Sequence, residues 1–144
     1  MTKVLIAADS SENSVVAARA ALSLFGDAAE YLVVNVDRAM NDAMAWGAAY
    51  PLVMPLPAPT DDPDAVHRAE GVASEVAESA KLPAAESIGD IGDPAYAIIQ
   101  AAHQHSVDVI VVGSHAHGWL SRLFTGSVSN DLLREADIPV LVVK

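Results

Sequence analysis

The chain has 144 residues, with 8 basic and 19 acidic side chains, a formal net charge of −11 and no cysteine. A surface this acidic repels a phosphate backbone, and no stripe of lysine and arginine offsets it, so nucleic acid is not expected as a partner. Without cysteine there are no disulfides and no thiol catalysis, and the longest apolar runs are strand-sized, so no membrane-spanning helix is expected.

The length suits one domain, 1–144, with a substantial core. Met1-Thr2-Lys3 leads directly into the apolar Val4–Ala8, which lacks the length and flanks of a signal peptide, so the cytoplasm is the expected location. Lys3–Ala8 reads as a first strand. Asp9-Ser10-Ser11-Glu12 reads as a helix start, with Asp9 as cap and Glu12 as its capping-box partner. Val15, Ala18, Arg19 and Leu22 mark one stripe of that helix, and Gly26 ends it. Tyr31–Val36 is a second buried strand. An opening of strand, helix and strand predicts a parallel sheet with right-handed crossovers.

Periodicity then disappears from Asp37 to Pro63, a stretch holding Trp46, Tyr50 and prolines at 51, 55, 57, 59 and 63. A loop this long inside a small domain is usually functional or disordered, and its apolar content argues that it covers something. Helical spacing resumes from Pro63 or Asp64 to Lys81, through Val66, Ala69, Val72, Ala73, Val76 and Ala80, and Pro83 bounds it. Ala84–Ile88 is expected as a short third strand, followed by a turn over Gly89–Pro94. There Asp93 caps a helix, Pro94 takes its first position, and Ala95, Ile98, Ile99 and Ala102 form its buried face through His105. Val109–Val112 is a fourth strand, stopped by Gly113. A helix over Val128–Glu135 and a fifth strand over Pro139–Val143 complete the chain. The expected fold is α/β: a five-stranded parallel sheet with helices on both faces, of Rossmann-like, doubly wound type. Ligands of such sheets bind at the carboxyl ends of the strands where the strand order reverses, which makes the Asp9 and Gly113 ends expected neighbours.

Most of the functional signal lies between Val109 and Ser129. A buried strand runs into a glycine-hinged loop that returns to a helix N-terminus at Gly126-Ser127, where free N–H groups and the positive end of the helix dipole suit an anion such as phosphate. Gly113-x4-Gly118 is not a Walker loop, because Trp119-Leu120 stands where lysine and a hydroxyl residue must reach phosphate and metal, and no Gly-x-Gly-x-x-Gly follows any strand. Arg122 is the one fixed cation of this loop, either a phosphate contact or a solvated side chain. His115-x-His117 could close on a metal, but no local carboxylate or thiol completes a set. His103-x-His105 falls on two faces of a helix and suits the helix C-terminus better than a chelate. No nucleophile elbow and no triad spacing occur.

The string Gly113, Ser114-His115, Ala116, nine residues to Thr125, then Gly126-Ser127 resembles the ATP-binding motif of the universal stress protein family, with Ala116 in place of the second glycine. The resemblance covers essentially the whole chain, taking in Asp9, Gly92-Asp93-Pro94 and the Pro139-Val-Leu-Val-Val ending. It implies a Rossmann-like sandwich of the adenine nucleotide alpha hydrolase type, which binds ATP or a related adenine nucleotide with Mg²⁺. By that resemblance Asp9 meets the ribose or base edge, Val36 flanks the adenine, and Gly113 and Ala116 line ribose and phosphates. Gly126, Ser127, Val128 and Ser129 would cradle the phosphates. It further implies a sensor in stress response rather than an enzyme, with a regulatory protein partner, and a homodimer through Pro139–Val143, which is otherwise an exposed apolar edge. Two alternatives stand beside this. Ala116 favours a nucleotide-free scaffold dimer, since a Cβ in the left-handed region costs about 1 kcal/mol or more. An adenylyl-transferring or ATP-pyrophosphatase enzyme would share the sheet, but Ala8-Asp9-Ser10-Ser11 lacks its Ser-Gly-Gly loop and no His-x-x-His follows the first strand.

Overall fold

The computed structural model describes residues 1–37, 63–113 and 132–144. Strands β1 (Lys3–Ala7), β2 (Glu30–Asp37), β3 (Glu86–Ile91), β4 (Val109–Gly113) and β5 (Val140–Val143) form one sheet in the order β3-β2-β1-β4-β5. Every pairing is parallel. Helices α1 (Glu12–Phe25), α2 (Pro63–Ala80) and α3 (Pro94–Gln104) connect them, and residues 132–135 are helical. The expected five-stranded parallel α/β sheet is therefore present, and its order reverses between β1 and β4.

Successive residues of a strand face opposite sides of the sheet. Leu5, Ala7, Leu32, Val34, Val36, Ile110 and Val112 pack on one side with Ile98 and Ala102 of α3 and with Leu132. Val4, Ile6, Tyr31, Val33 and Val111 pack on the other with Ala17, Ala18 and Ala21 of α1 and Ala73 and Val76 of α2. With both faces covered, the interiors of β1, β2 and β4 need apolar residues on both sides, which is why they read as near-continuous apolar runs, broken in β2 by Asn35. Each fully buried Leu, Ile or Val contributes about 1.5–3 kcal/mol.

Several boundaries and faces differ from the sequence reading. Helix α1 is capped by Ser11 rather than Asp9, with no side-chain bond to the helix, so Glu12 is its first residue and not a capping-box partner. Its buried face is Ser14, Ala17, Ala18 and Ala21, while Val15 and Leu22 lie at the margin. Small residues let the helix press close to the sheet and push the larger ones aside. Arg19 is exposed and donates from Nη2 to Ser79 O of α2 at 3.0 Å. Strand β3 starts later than expected and includes Gly89-Asp90-Ile91, because these pair with Asn35, Val36 and Asp37 of β2. Gly26 does end α1, at φ 73°, and Asp93 does cap α3, its Oδ1 accepting from Tyr96 N at 2.9 Å. The proline-rich stretch 38–62 and the first part of the helix expected at Val128–Glu135 lie outside the described residues.

Candidate functional site

At the end of β1 the backbone leaves the sheet. Ala8 N still donates to Val34 O at 2.9 Å, but Ala8 O accepts from the buried side-chain amide of Asn35 at 2.8 Å instead of from a ladder partner. Asp9 follows and is 5% exposed. Its backbone N–H donates to Ser14 Oγ at 2.8 Å. Its Oδ1 accepts from Ser11 N at 2.9 Å, from Ser14 Oγ at 2.9 Å and from Ser11 Oγ. Its Oδ2 is buried and has no hydrogen-bond partner among the described residues.

Gly113 ends β4 beside this group. Ala7 stands opposite Val112 in the β1–β4 pairing, so the next residue of each strand, Ala8 and Gly113, opens onto the same reversal point. A Cβ on Gly113 would lie 3.2 Å from Asn13 O and 3.7 Å from Ala17 Cβ, so the end of β4 runs directly against the first turns of α1. The strand end that leads into Asp9 and the one that stops at Gly113 are thus neighbours, as the element order required. Val36 is 1% exposed and its side chain belongs to the core that faces α3. Ala116, Gly126, Ser127, Val128 and Ser129 lie outside the described residues, as do His115, His117 and Arg122.

The carboxyl edge of the sheet is acidic. Beyond Asp9 it carries Asp37, with Arg68 Nη2 at 3.7 Å, and Asp90, whose Oδ1 accepts from Ile91 N at 2.8 Å. The histidines expected at a helix C-terminus are each drawn to a separate carboxylate: His103 Nε2 lies 3.2 Å from Asp137 Oδ1 and His105 Nδ1 lies 3.8 Å from Glu86 Oε2. Among the described residues no group of three or more His, Asp or Glu is placed to hold a metal ion, and no helix is long and apolar enough to cross a membrane.

Two residues of the site were missed in the sequence reading, Ser14 and Asn35. Both carried a signal. Ser14 shares the helical spacing of Ala17, Ala18 and Ala21, and Asn35 interrupts the apolar run Tyr31–Val36; a polar residue in a buried stripe needs a partner. Chemically, the arrangement offers a fixed carboxylate whose free oxygen can accept a hydrogen bond, next to a strand end stripped of its side chain.

A family model described as the Universal stress protein family matches residues 1–144. Stress response protein NhaX of Bacillus subtilis is 50% identical over 60 residues, 39% of this chain and only 36% of that protein. Universal stress protein YxiE of the same organism is 31% identical over 150 aligned positions, covering 99% of this chain and 98% of the relative. Among solved structures, the universal stress protein from Archaeoglobus fulgidus in complex with dAMP has a TM-score of 0.62 at 19% identity, covering 100% of this chain and 98% of that one. A universal stress protein in complex with cAMP has a TM-score of 0.59 at 18% identity, covering 99% and 95%. At such identities the structures speak for the fold, whereas the family model and YxiE speak for descent. The chain belongs to the universal stress protein family.

Proposed function

We propose that this protein is a cytoplasmic, nucleotide-binding regulatory module of stress response, one domain over residues 1–144, that binds ATP or a related adenine nucleotide where β1 and β4 diverge. The observation that carries this reading is the buried Oδ2 of Asp9, without a hydrogen-bond partner among the described residues, at the strand end next to that of Gly113. A buried carboxylate oxygen without a donor costs about 1–3 kcal/mol or more, and a ligand hydroxyl or amino group would remove that cost. Relatives of the same fold are seen with dAMP and with cAMP, which supports an adenine nucleotide as the ligand. Gly113 and Ala116 would line the ribose and phosphates, and Gly126, Ser127, Val128 and Ser129 would receive the phosphates. Val36 would meet the adenine through the strand end, its side chain being core. Mg²⁺ would travel with the phosphates, since no cluster of ligating side chains stands ready for it among the described residues. Any hydrolysis would be slow and incidental, and occupancy would be read by a regulatory protein partner.

The homodimer belongs to the same proposal. Among the described residues strand β5 pairs with β4 along one edge only, and its four residues Val140–Val143 are all half-buried, which supports a second copy along the other edge. The nucleotide-free scaffold remains the second reading, favoured by Ala116.

The test is to denature freshly purified protein, resolve the released small molecules by anion exchange, and titrate the stripped, refolded protein with ATP and Mg²⁺ by calorimetry. About one adenine nucleotide per chain, or saturable ATP binding, is expected. Empty protein with no measurable ATP affinity would remove the nucleotide site and leave the scaffold dimer.

A further inference from the structure

We propose that Ser14 is a positioning residue that makes the nucleotide site selective for a ligand group that donates a hydrogen bond; this rests on the nucleotide-binding reading above. Ser14 is completely buried on the face of α1 that otherwise presents Ala17, Ala18 and Ala21 to the sheet. An alanine would pack there equally well, and a hydroxyl in such a place costs desolvation unless it is bonded. Both bonds of this hydroxyl go to one residue. Oγ accepts from Asp9 N at 2.8 Å and donates to Asp9 Oδ1 at 2.9 Å.

The consequence for the site follows from counting donors. With Ser14 and both groups of Ser11 on Oδ1, that oxygen is saturated, and with Ser14 on Asp9 N the only backbone donor of this residue is consumed. What remains for a ligand is Oδ2, buried and able only to accept. The carboxylate plane is held from the helix by Ser14, and the backbone that carries it is held from β2 by the Asn35 bond to Ala8 O. Ser14 touches no ligand; it acts through Asp9. Without its hydroxyl the Asp9 N–H becomes a free donor and the carboxylate can turn, so the site no longer presents a lone acceptor.

The test is calorimetric titration of wild type, Ser14→Ala, Asp9→Asn and the double variant with ATP, 2′-deoxy-ATP, 3′-deoxy-ATP and inosine triphosphate. The two deoxy analogues each remove one hydroxyl donor, and inosine triphosphate replaces the 6-amino donor by a carbonyl acceptor while its N1 becomes an N–H donor. Wild type is expected to bind one of these analogues about tenfold more weakly than ATP, the worth of a hydrogen bond to a charged group. Ser14→Ala is expected to bind ATP about tenfold more weakly, to narrow that discrimination, and to have no further effect in the Asp9→Asn background. A merely structural serine would weaken all ligands alike and add to Asp9→Asn. Equal loss in both backgrounds, unchanged discrimination in Ser14→Ala, or a wild type indifferent to all three analogues would each overturn the assignment while leaving nucleotide binding intact. Failure of wild type to bind ATP at all overturns the nucleotide reading and the assignment with it. Where Ser14→Ala does not fold, Ser14→Cys keeps the volume with a far weaker hydrogen-bonding group and is expected to behave in the same way.

Discussion

The backbone of Val66 lies where a side chain on Gly89 would begin: a Cβ there would fall 2.2 Å from Val66 O and 2.5 Å from Glu70 N. Helix α2 therefore rests backbone on backbone against β3, and the glycine that the sequence reading assigned to a turn is what permits a strand at that place. Gly89→Ala is expected to destabilise the protein by about 3 kcal/mol, the upper end of overpacking costs, because neither neighbour is a movable side chain. Gly71, in the same helix, has nothing within 4 Å of its would-be Cβ. Gly71→Ala is expected to stabilise by about 0.5–1 kcal/mol. Urea unfolding of both variants checks the pair, and equal effects would contradict the packing of α2 on β3.

Tyr31 is buried and its hydroxyl donates to Gly26 O at 2.7 Å. Burial, and secondarily the charge of Asp27, raise its pKa above the usual tyrosine value. The stability it contributes is therefore fully present below the unfolded-state value of about 10 and is lost as pH rises through the higher folded-state value, because the unfolded chain releases the proton first. Tyr31→Phe is expected to cost about 1 kcal/mol at neutral pH and to lose less stability than wild type between pH 9 and 11. Parallel stability curves for the two proteins over that range would show that Tyr31 does not carry the alkaline loss.

Ser106 closes α3 in the left-handed region at φ 53°, with Val107 N donating to Ala102 O and Ser106 N to His103 O. A glycine suits that position better, relieving about 1–2 kcal/mol of strain against about 0.4–1 kcal/mol of added chain entropy when unfolded. Ser106→Gly is expected to raise stability by about 0.5 kcal/mol, whereas Ser106→Val should lower it by more than about 1 kcal/mol. Thermal denaturation of the two variants decides, and a stabilising valine would contradict the cap.

At the site, Gly113→Ala must displace Asn13 O, 3.2 Å from the new Cβ, by a few tenths of an ångström. The stability cost is expected to stay near 1 kcal/mol, while ATP affinity falls several-fold as the β1–α1 junction moves. Ala116→Gly is expected to act oppositely and tighten ATP binding by about fivefold, the equivalent of about 1 kcal/mol. Unchanged affinity in Ala116→Gly would clear the alanine of any obstructive role.

Much of the architecture was legible because it rests on local signals. Near-continuous apolar runs at Val4–Ala8, Tyr31–Val36 and Val109–Val112 announce strands buried on both faces, and Gly26, Asp93 and Pro94 punctuate the helices between them. The alternation of such elements dictates a parallel sheet, and a parallel sheet with reversed order dictates where a ligand can sit. Asp9 and Gly113 could be paired on that ground alone.

What only the tertiary structure decided is the work of the small and polar residues, whose meaning depends on what stands opposite them. Gly89 looks like a turn residue until α2 is laid across it, and Asp9 looks like a helix cap until Ser14 and Ser11 are seen to saturate one of its oxygens and leave the other buried without a partner among the described residues. Ser14 and Asn35 belong to a helix and a strand that converge on Asp9 only after the sheet has closed. Periodicity and caps are properties of neighbours in the chain and survive in the sequence, whereas close approach and hydrogen-bond satisfaction are properties of neighbours in space and come into being with the packed fold.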